Sequence, residues 1–265
     1  MPIVRIADPD DRRLDPYRAL KRSNETRHGL FIAEGEKLVR RLVESRLEVE
    51  SLLVSEDHLE AIAPVLPTEV PTLVIPEGAV EGLVGFNFHR GILGCGRRPQ
   101  PPDLTAILGQ ASTATLVVCP DVQNPENLGS IVRIAAAFGA AGLVLGPHSA
   151  DPFSRRVQRV SMGNVYRLPI VPTADIRAAL AELRTAHGVE SWATVLADDA
   201  ETFGTRRRPA RLAVVLGGEG HGLAPEVIAA CDRRVTIPMR SGVDSLNVAV
   251  ATGIFLFELT RNAIR

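Results

Sequence analysis

From residue 114 onward, short apolar runs alternate with stretches of helical periodicity, and three of the runs empty into loops rich in Asn, Gly and Pro. Thr115–Cys119 (TLVVC) and Leu212–Leu216 (LAVVL) are continuous apolar runs of strand length, a pattern that suits strands covered on both faces. Repeated strand-then-helix order demands crossover connections, and these produce a mostly parallel sheet with helices on both sides. The spacing predicts helices over Asn127–Phe138, Ser154–Met162, Asp175–His187, Leu223–Ala230 and Ser245–Asn262. It predicts further strands at Gly142–Leu145, Arg167–Val171, Trp192–Leu196 and Val235–Ile237. In such sheets, ligands bind beyond the carboxyl ends of the strands, where the three loops lie.

The first hundred residues form a smaller α/β pattern. Glu34–Arg46 is amphipathic, with Leu38, Leu42 and Val43 on one face and Lys37, Arg40, Arg41 and Glu44 elsewhere. Val49–Ser55, Val70–Ile75 and Gly91–Cys95 are expected strands with short helices between them. The proline-rich stretch after Gly96 breaks the alternation and predicts an extended connector. The expected organisation is therefore a first domain at 1–97, a linker at 98–113 and a second domain at 114–265.

Composition narrows the function classes. With 45% hydrophobic residues, 23% charged residues and three cysteines in 265 residues, the chain is no disordered tail and no disulfide mini-protein. Cys95, Cys119 and Cys231 are far apart, so a structural zinc site is not expected, and no metal is. Lys plus Arg total 30 against 31 Asp plus Glu, so any polyanion site has to be a local patch. The charged N-terminus and the lack of a long apolar run predict a soluble, cytoplasmic protein with no membrane partner.

The three loops hold the candidate chemistry. Asp121–Arg133 (DVQNPENLGSIVR) supplies amides at Asn124 and Asn127 and a cation at Arg133; the plain alternative is a helix cap beside a solvated arginine. Leu216–Leu223 (LGGEGHGL) has four glycines that admit close approach to backbone, plus Glu219; the alternative is a tight turn. It lacks the spacing of a dinucleotide fingerprint and the Lys-Ser/Thr of a P-loop. Ile237–Val250 (IPMRSGVDSLNVAV) brings Ser245 and Asn247 to the start of the last helix, where Ser and Asp ordinarily cap.

Taken in order, N-P-E-N-L-G-x-x-x-R, L-G-x-E-G-x-G-L and I-P-M-x-x-x-V-x-S-L-N-V-A-x-A-x-G-I resemble the three signature motifs of the SpoU family. These are RNA ribose 2′-O-methyltransferases of the SPOUT class that use S-adenosylmethionine. The resemblance runs from about residue 113 to the C-terminus, and Arg27–Val43 is similar to the family's N-terminal substrate-binding domain. It implies an α/β fold whose C-terminal segment ties a trefoil knot, a small N-terminal α/β domain that binds RNA, and a homodimer. By position it implies catalytic roles for Asn127, Arg133, Glu219, Ser245 and Asn247. It implies a donor pocket formed by Leu196, Leu216, Gly217, Gly218, Ile237, Met239 and Leu246. Gln123-Asn124 and His89-Arg90-Gly91 depart from the usual family residues, which bears on the substrate more than on the chemistry.

RNA contact is expected from local arginines: Arg18, Arg22 and Arg27 near the N-terminus, and Arg155, Arg156 and Arg159 in DPFSRRVQRVSMG. Arg206–Arg208 reads as a solvated face. The family proposal makes Arg133 a general base, whereas arginine side chains hold their proton in proteins. A bidentate clamp on an RNA phosphate that also stabilises the developing alkoxide is the physically preferred role. The first domain favours ribosomal RNA as substrate. Transfer RNA, a catalytically silent RNA-binding module on the same fold, and an unrelated nucleotide-binding protein are the competing readings.

Overall fold

The structure is a computed structural model that describes residues 3–18, 20, 29–85, 91–205, 207–240 and 245–261. It divides into two compact units, one formed by residues 1–100 with 153–167, the other by 101–152 with 168–265.

The first unit is built on β1 (Ile3–Arg5), β2 (Leu30–Glu34), α1 (Glu36–Val43), β3 (Val49–Ser55), α2 (Leu59–Ile62), β4 (Thr72–Ile75), α3 (Glu77–Val84) and β5 (Ile92–Arg97). Its sheet order is β1-β4-β3-β5-β2, with β5 antiparallel to both neighbours. Leu53, Leu73, Leu93 and Val84 close one core with Leu14 and the fully buried Tyr17. The expected helix over Glu34–Arg46 is shorter, because Gly35 at φ 90° turns the chain out of β2 and the helix starts only at Glu36. β2 itself was not expected. Its five residues have no clear alternation, since Phe31, Ile32 and Ala33 are all buried.

The second unit begins within the stretch expected to be an extended linker. There α4 (Leu104–Leu108) is capped by Asp103, whose Oδ1 accepts the Ala106 N–H at 2.6 Å, and Leu104 and Leu108 enter the core. An Asp cap followed by a Leu pair at i and i+4 is a helix signal, and it outweighs the preceding prolines. The sheet then takes β6 (Ala114–Cys119), α5 (Pro125–Ala137), β7 (Gly142–Leu145), α6 (Arg155–Val160), β8 (Ile170–Pro172), α7 (Ile176–His187), β9 (Glu190–Thr194), β10 (Glu201–Thr202), β11 (Arg211–Val215), α8 (Pro225–Ala230), β12 (Arg233–Thr236) and α9 (Val248–Thr260) in chain order. All seven strands are parallel in the order β10-β12-β9-β11-β6-β7-β8. The fold is thus α/β with a mostly parallel sheet flanked by helices.

Of these elements α6 belongs to the first unit, although its position in the sequence groups it with the second half. The reason is a buried amide. Gln158 is fully buried; its Nε2 donates to the Ile32 carbonyl at 3.0 Å and to the Phe153 carbonyl at 2.6 Å, and its Oε1 accepts the Tyr166 hydroxyl at 2.6 Å. The rings of Phe153 and Tyr166 flank Phe31, with centroids 4.9 and 5.7 Å away. In the second unit Arg208 is no solvated charge. Its guanidinium donates to the carbonyls of Ala114, Ala210 and Leu259 at 3.1–3.2 Å, stitching the start of β6 to the end of α9. Among the described residues, no helix is long and apolar enough to cross a membrane.

Candidate functional site

The site lies at the carboxyl ends of β12, β9 and β11, three strands adjacent in the sheet. Here a cavity of about 620 Å³ opens, within the size range of pockets that enclose a nucleoside-sized ligand. Leu196 follows β9, Leu216, Gly217 and Gly218 follow β11, and Ile237 and Met239 follow β12; with Leu246 they all line it. Glu219, Ser245 and Asn247 line it as well. Leu196 is 60% exposed, an apolar side chain left in contact with solvent at the wall of a cavity.

Backbone proximity explains the glycines. A Cβ on Gly218 would stand 2.0 Å from the Asp121 carbonyl oxygen, and one on Gly217 would stand 2.8 Å from the Gly222 backbone. The first and second loops therefore pack main chain against main chain. Gly220 and Gly222 sit at φ 88° and 67°, and an isolated bridge joins Gly218 to Gly222.

Polar side chains then tie the three loops together. Asn127 Nδ2 donates to Glu219 Oε1 at 2.5 Å, and Asn247 Nδ2 donates to Asn127 Oδ1 at 3.0 Å. The cap of α5 is Asn124, which accepts the Glu126 N–H at 2.8 Å and leaves the Asn127 amide available for this chain of contacts. Asn247 does both jobs. Its Oδ1 caps α9 by accepting the N–H groups of Ala249 and Val250, so the last helix starts at Val248 rather than at Ser245. Beneath the network, burial first and then the nearby Glu219 push the Cys119 thiol well above its ordinary pKa, so it is an inert core group.

Arg133 is exposed on α5 and does not line the cavity; among the described residues it makes no hydrogen bond or ion pair. The cavity also uses Thr194, Val248, Ala251 and Phe255, which sequence reasoning did not single out. Val248, Ala251 and Phe255 recur at i, i+3 and i+7, but α9 is apolar nearly all round, so periodicity could not distinguish its cavity face.

The expected RNA arginines divide. Arg18 is occupied by its own segment: its Nε donates to Asp15 Oδ1 at 3.0 Å and its Nη2 to the Pro9 carbonyl at 2.5 Å. Arg155 has a side chain only 19% exposed, lying 3.4 Å from Glu34 and 3.3 Å from the Leu20 carbonyl. Arg156 is exposed and Arg159 half-exposed. Arg22 and Arg27 lie outside the described residues. Among the described residues no group of three or more His, Cys, Asp or Glu side chains could hold a metal ion.

A parallel α/β sheet with a cavity of this size at its carboxyl edge, framed by glycine backbone and an Asn–Glu–Asn network, has the form of a pocket for a nucleoside-sized ligand. Residues 114–257 match the family model described as the SpoU rRNA Methylase family, and this chain belongs to that family. A chain of Mycobacterium bovis named "uncharacterized tRNA/rRNA methyltransferase" is 33% identical over 97% of this chain and 91% of its own length. The 23S rRNA (guanosine-2′-O-)-methyltransferase RlmB of Acinetobacter baylyi is 30% identical over 70% of this chain and 76% of its own. Among solved structures, the AdoMet-bound rRNA methyltransferase from Sinorhizobium meliloti superposes with a TM-score of 0.82 at 26% identity, covering 99% of each chain.

Proposed function

We propose that this chain methylates a ribose 2′-hydroxyl in structured RNA, with S-adenosylmethionine as methyl donor and ribosomal RNA as substrate. The observation that carries the reading is the convergence of three separated loops, through Asn127, Glu219 and Asn247, at the rim of one cavity. Membership of the family and the names of its ribosomal RNA relatives support the substrate class. Cytoplasmic placement follows from that substrate.

S-adenosylmethionine, when bound, supplies an electrophilic methyl group on a sulfonium. The apolar walls at Leu196, Ile237, Met239 and Leu246 suit an adenine ring, and Gly217 and Gly218 bring backbone to the same cavity. Holding two reactants in line can remove several kcal/mol of barrier, and the Asn–Glu–Asn network, which links the three loops, is suited to that alignment. Ser245, at the cavity wall, is assigned to the acceptor ribose. Arg133, exposed on α5 and without a partner among the described residues, is assigned to an RNA phosphate and to the developing alkoxide. A guanidinium has five donors and no acceptor, so the proton leaves to the phosphate or to water.

Calorimetry with S-adenosylmethionine, then mapping of ribose methylation across total RNA with and without the gene, tests the reading. The expected result is saturable binding and one ribosomal site that loses its methyl group. Failure to bind the donor would leave a silent RNA-binding module, and loss confined to transfer RNA would move the substrate.

The reading includes the C-terminal trefoil knot and a homodimer. Val250, Ile254 and Phe257 lie 53%, 38% and 55% exposed at spacings of four and three residues, one apolar stripe on α9 beside Phe138 of α5. Phe257→Asp is expected to convert a dimer to a monomer in analytical ultracentrifugation and to reduce methylation with it. A monomeric wild-type protein at micromolar concentration would remove the dimer from the account.

A further inference from the structure

The first unit has a charge anomaly. Residues 1–100 hold 14 Lys and Arg against 16 Asp and Glu, a net −2, whereas residues 153–167 bring four arginines and no acid. Within this unit, cationic character comes from the segment inserted from elsewhere in the chain. Gln158 and Val157 are buried, so at 100° per residue Arg156 and Arg159 point away from the sheet about 60° apart.

α1 meets this segment directly. Both helices pack on β2, and α1 also packs on β5. The Arg41 guanidinium donates to the carbonyl of Met162, a residue held at φ 55° in the left-handed region that non-glycine residues seldom occupy. The position of Gly163 is equally close, since a Cβ there would be 3.3 Å from Arg41 Cδ and 3.3 Å from Leu38 Cδ2. With Leu38, Val39 and Leu42 buried, Lys37, Arg40 and Arg41 share the outer arc of α1. Arg40 is paired with Glu36 at 2.9 Å, while Lys37 is exposed and has no partner among the described residues.

We infer that the outer arc of α1 and the outer face of α6 form one composite phosphate-gripping surface, with Lys37 and Arg159 its principal cations and the Arg41–Met162 contact joining α1 to the segment that carries α6. The inference rests on the RNA-methylating reading and names where the RNA backbone docks on the first unit. A ribose-phosphate chain suits this face because its cations are spread along two helices without an aromatic platform, which favours phosphates over unstacked bases.

The test is fluorescence-anisotropy titration of the full chain with a generic RNA hairpin across a salt series, alongside calorimetry with S-adenosylmethionine. Lys37→Glu combined with Arg159→Glu is expected to weaken RNA binding by about tenfold or more. It should lower the slope of log affinity against log salt by about 2, one phosphate per cation. Donor affinity should stay unchanged, which separates a lost contact from a misfolded chain. Arg5→Glu serves as the control: Arg5 is exposed on β1, the opposite sheet edge from β2, and should leave RNA binding as it was. RNA affinity and slope unaltered in the double variant, or lowered equally by Arg5→Glu, would overturn the composite surface while the methyltransferase reading stands. A wild-type chain that binds neither RNA nor the donor would overturn both.

Discussion

Replacing Arg133 with alanine is expected to slow methyl transfer by about 10²–10³-fold, the usual cost of deleting one preorganised donor aimed at a developing oxyanion. S-adenosylmethionine affinity should be untouched, because Arg133 lies outside the cavity. The informative variant is Arg133→Lys. An ammonium keeps the positive charge and gives up a proton more readily, but it loses the planar fork that grips a phosphate with two parallel bonds. If Arg133 clamps phosphate and stabilises the alkoxide, the lysine enzyme stays slow, and RNA affinity falls alongside turnover. Near wild-type turnover in single-turnover assays of Arg133→Lys would instead make the residue a base.

Gly218→Ala should damage donor binding through a single added methyl group. The added Cβ would meet the Asp121 carbonyl oxygen at 2.0 Å, and that obstacle is main chain with no rotamer to move aside. The first and second loops would have to separate, taking Glu219 away from Asn127, at an overpacking cost of about 1–3 kcal/mol. Calorimetry should show donor affinity reduced by more than tenfold, about 1.4 kcal/mol in binding free energy. Gly253→Ala provides the contrast. It lies on α9 with its nearest foreign atom 4.0 Å from the added Cβ, so it should leave binding intact and raise helix stability by about 0.5–1 kcal/mol. Equal donor affinity in the two variants would show that the loop-to-loop contact does not shape the cavity.

The contrast between the two halves of the molecule shows where sequence reasoning works. The run TLVVC, the glycine cluster and the Asn-rich loop each carry their information locally, in apolar periodicity or in residue types that tolerate special backbone. The second unit is therefore legible in the sequence as a parallel sheet with three polar loops at its carboxyl edge. The pairing of Arg18 has a local signal: Asp8, Asp10, Asp11 and Asp15 precede it in sequence, and Asp15 takes its guanidinium. α4 was similarly visible in its Asp103 cap and its leucine pair, and was hidden only by the prolines before it.

What the chain's own order of residues determined, then, was the set of strands, the loops that follow them and the chemical groups those loops carry. What tertiary structure alone decided was which of those groups meet. Asn127, Glu219 and Asn247 are 92 and 120 residues apart along their two hydrogen bonds, and no periodicity encodes a pairing at that separation. The same holds for Gln158, which draws α6 to β2 across 126 residues and leaves Arg155 against Glu34 while Arg159 faces outward. The physical reason is that local propensities act over a turn of helix or a strand, whereas burial and hydrogen-bond satisfaction are decided only when the whole chain has packed.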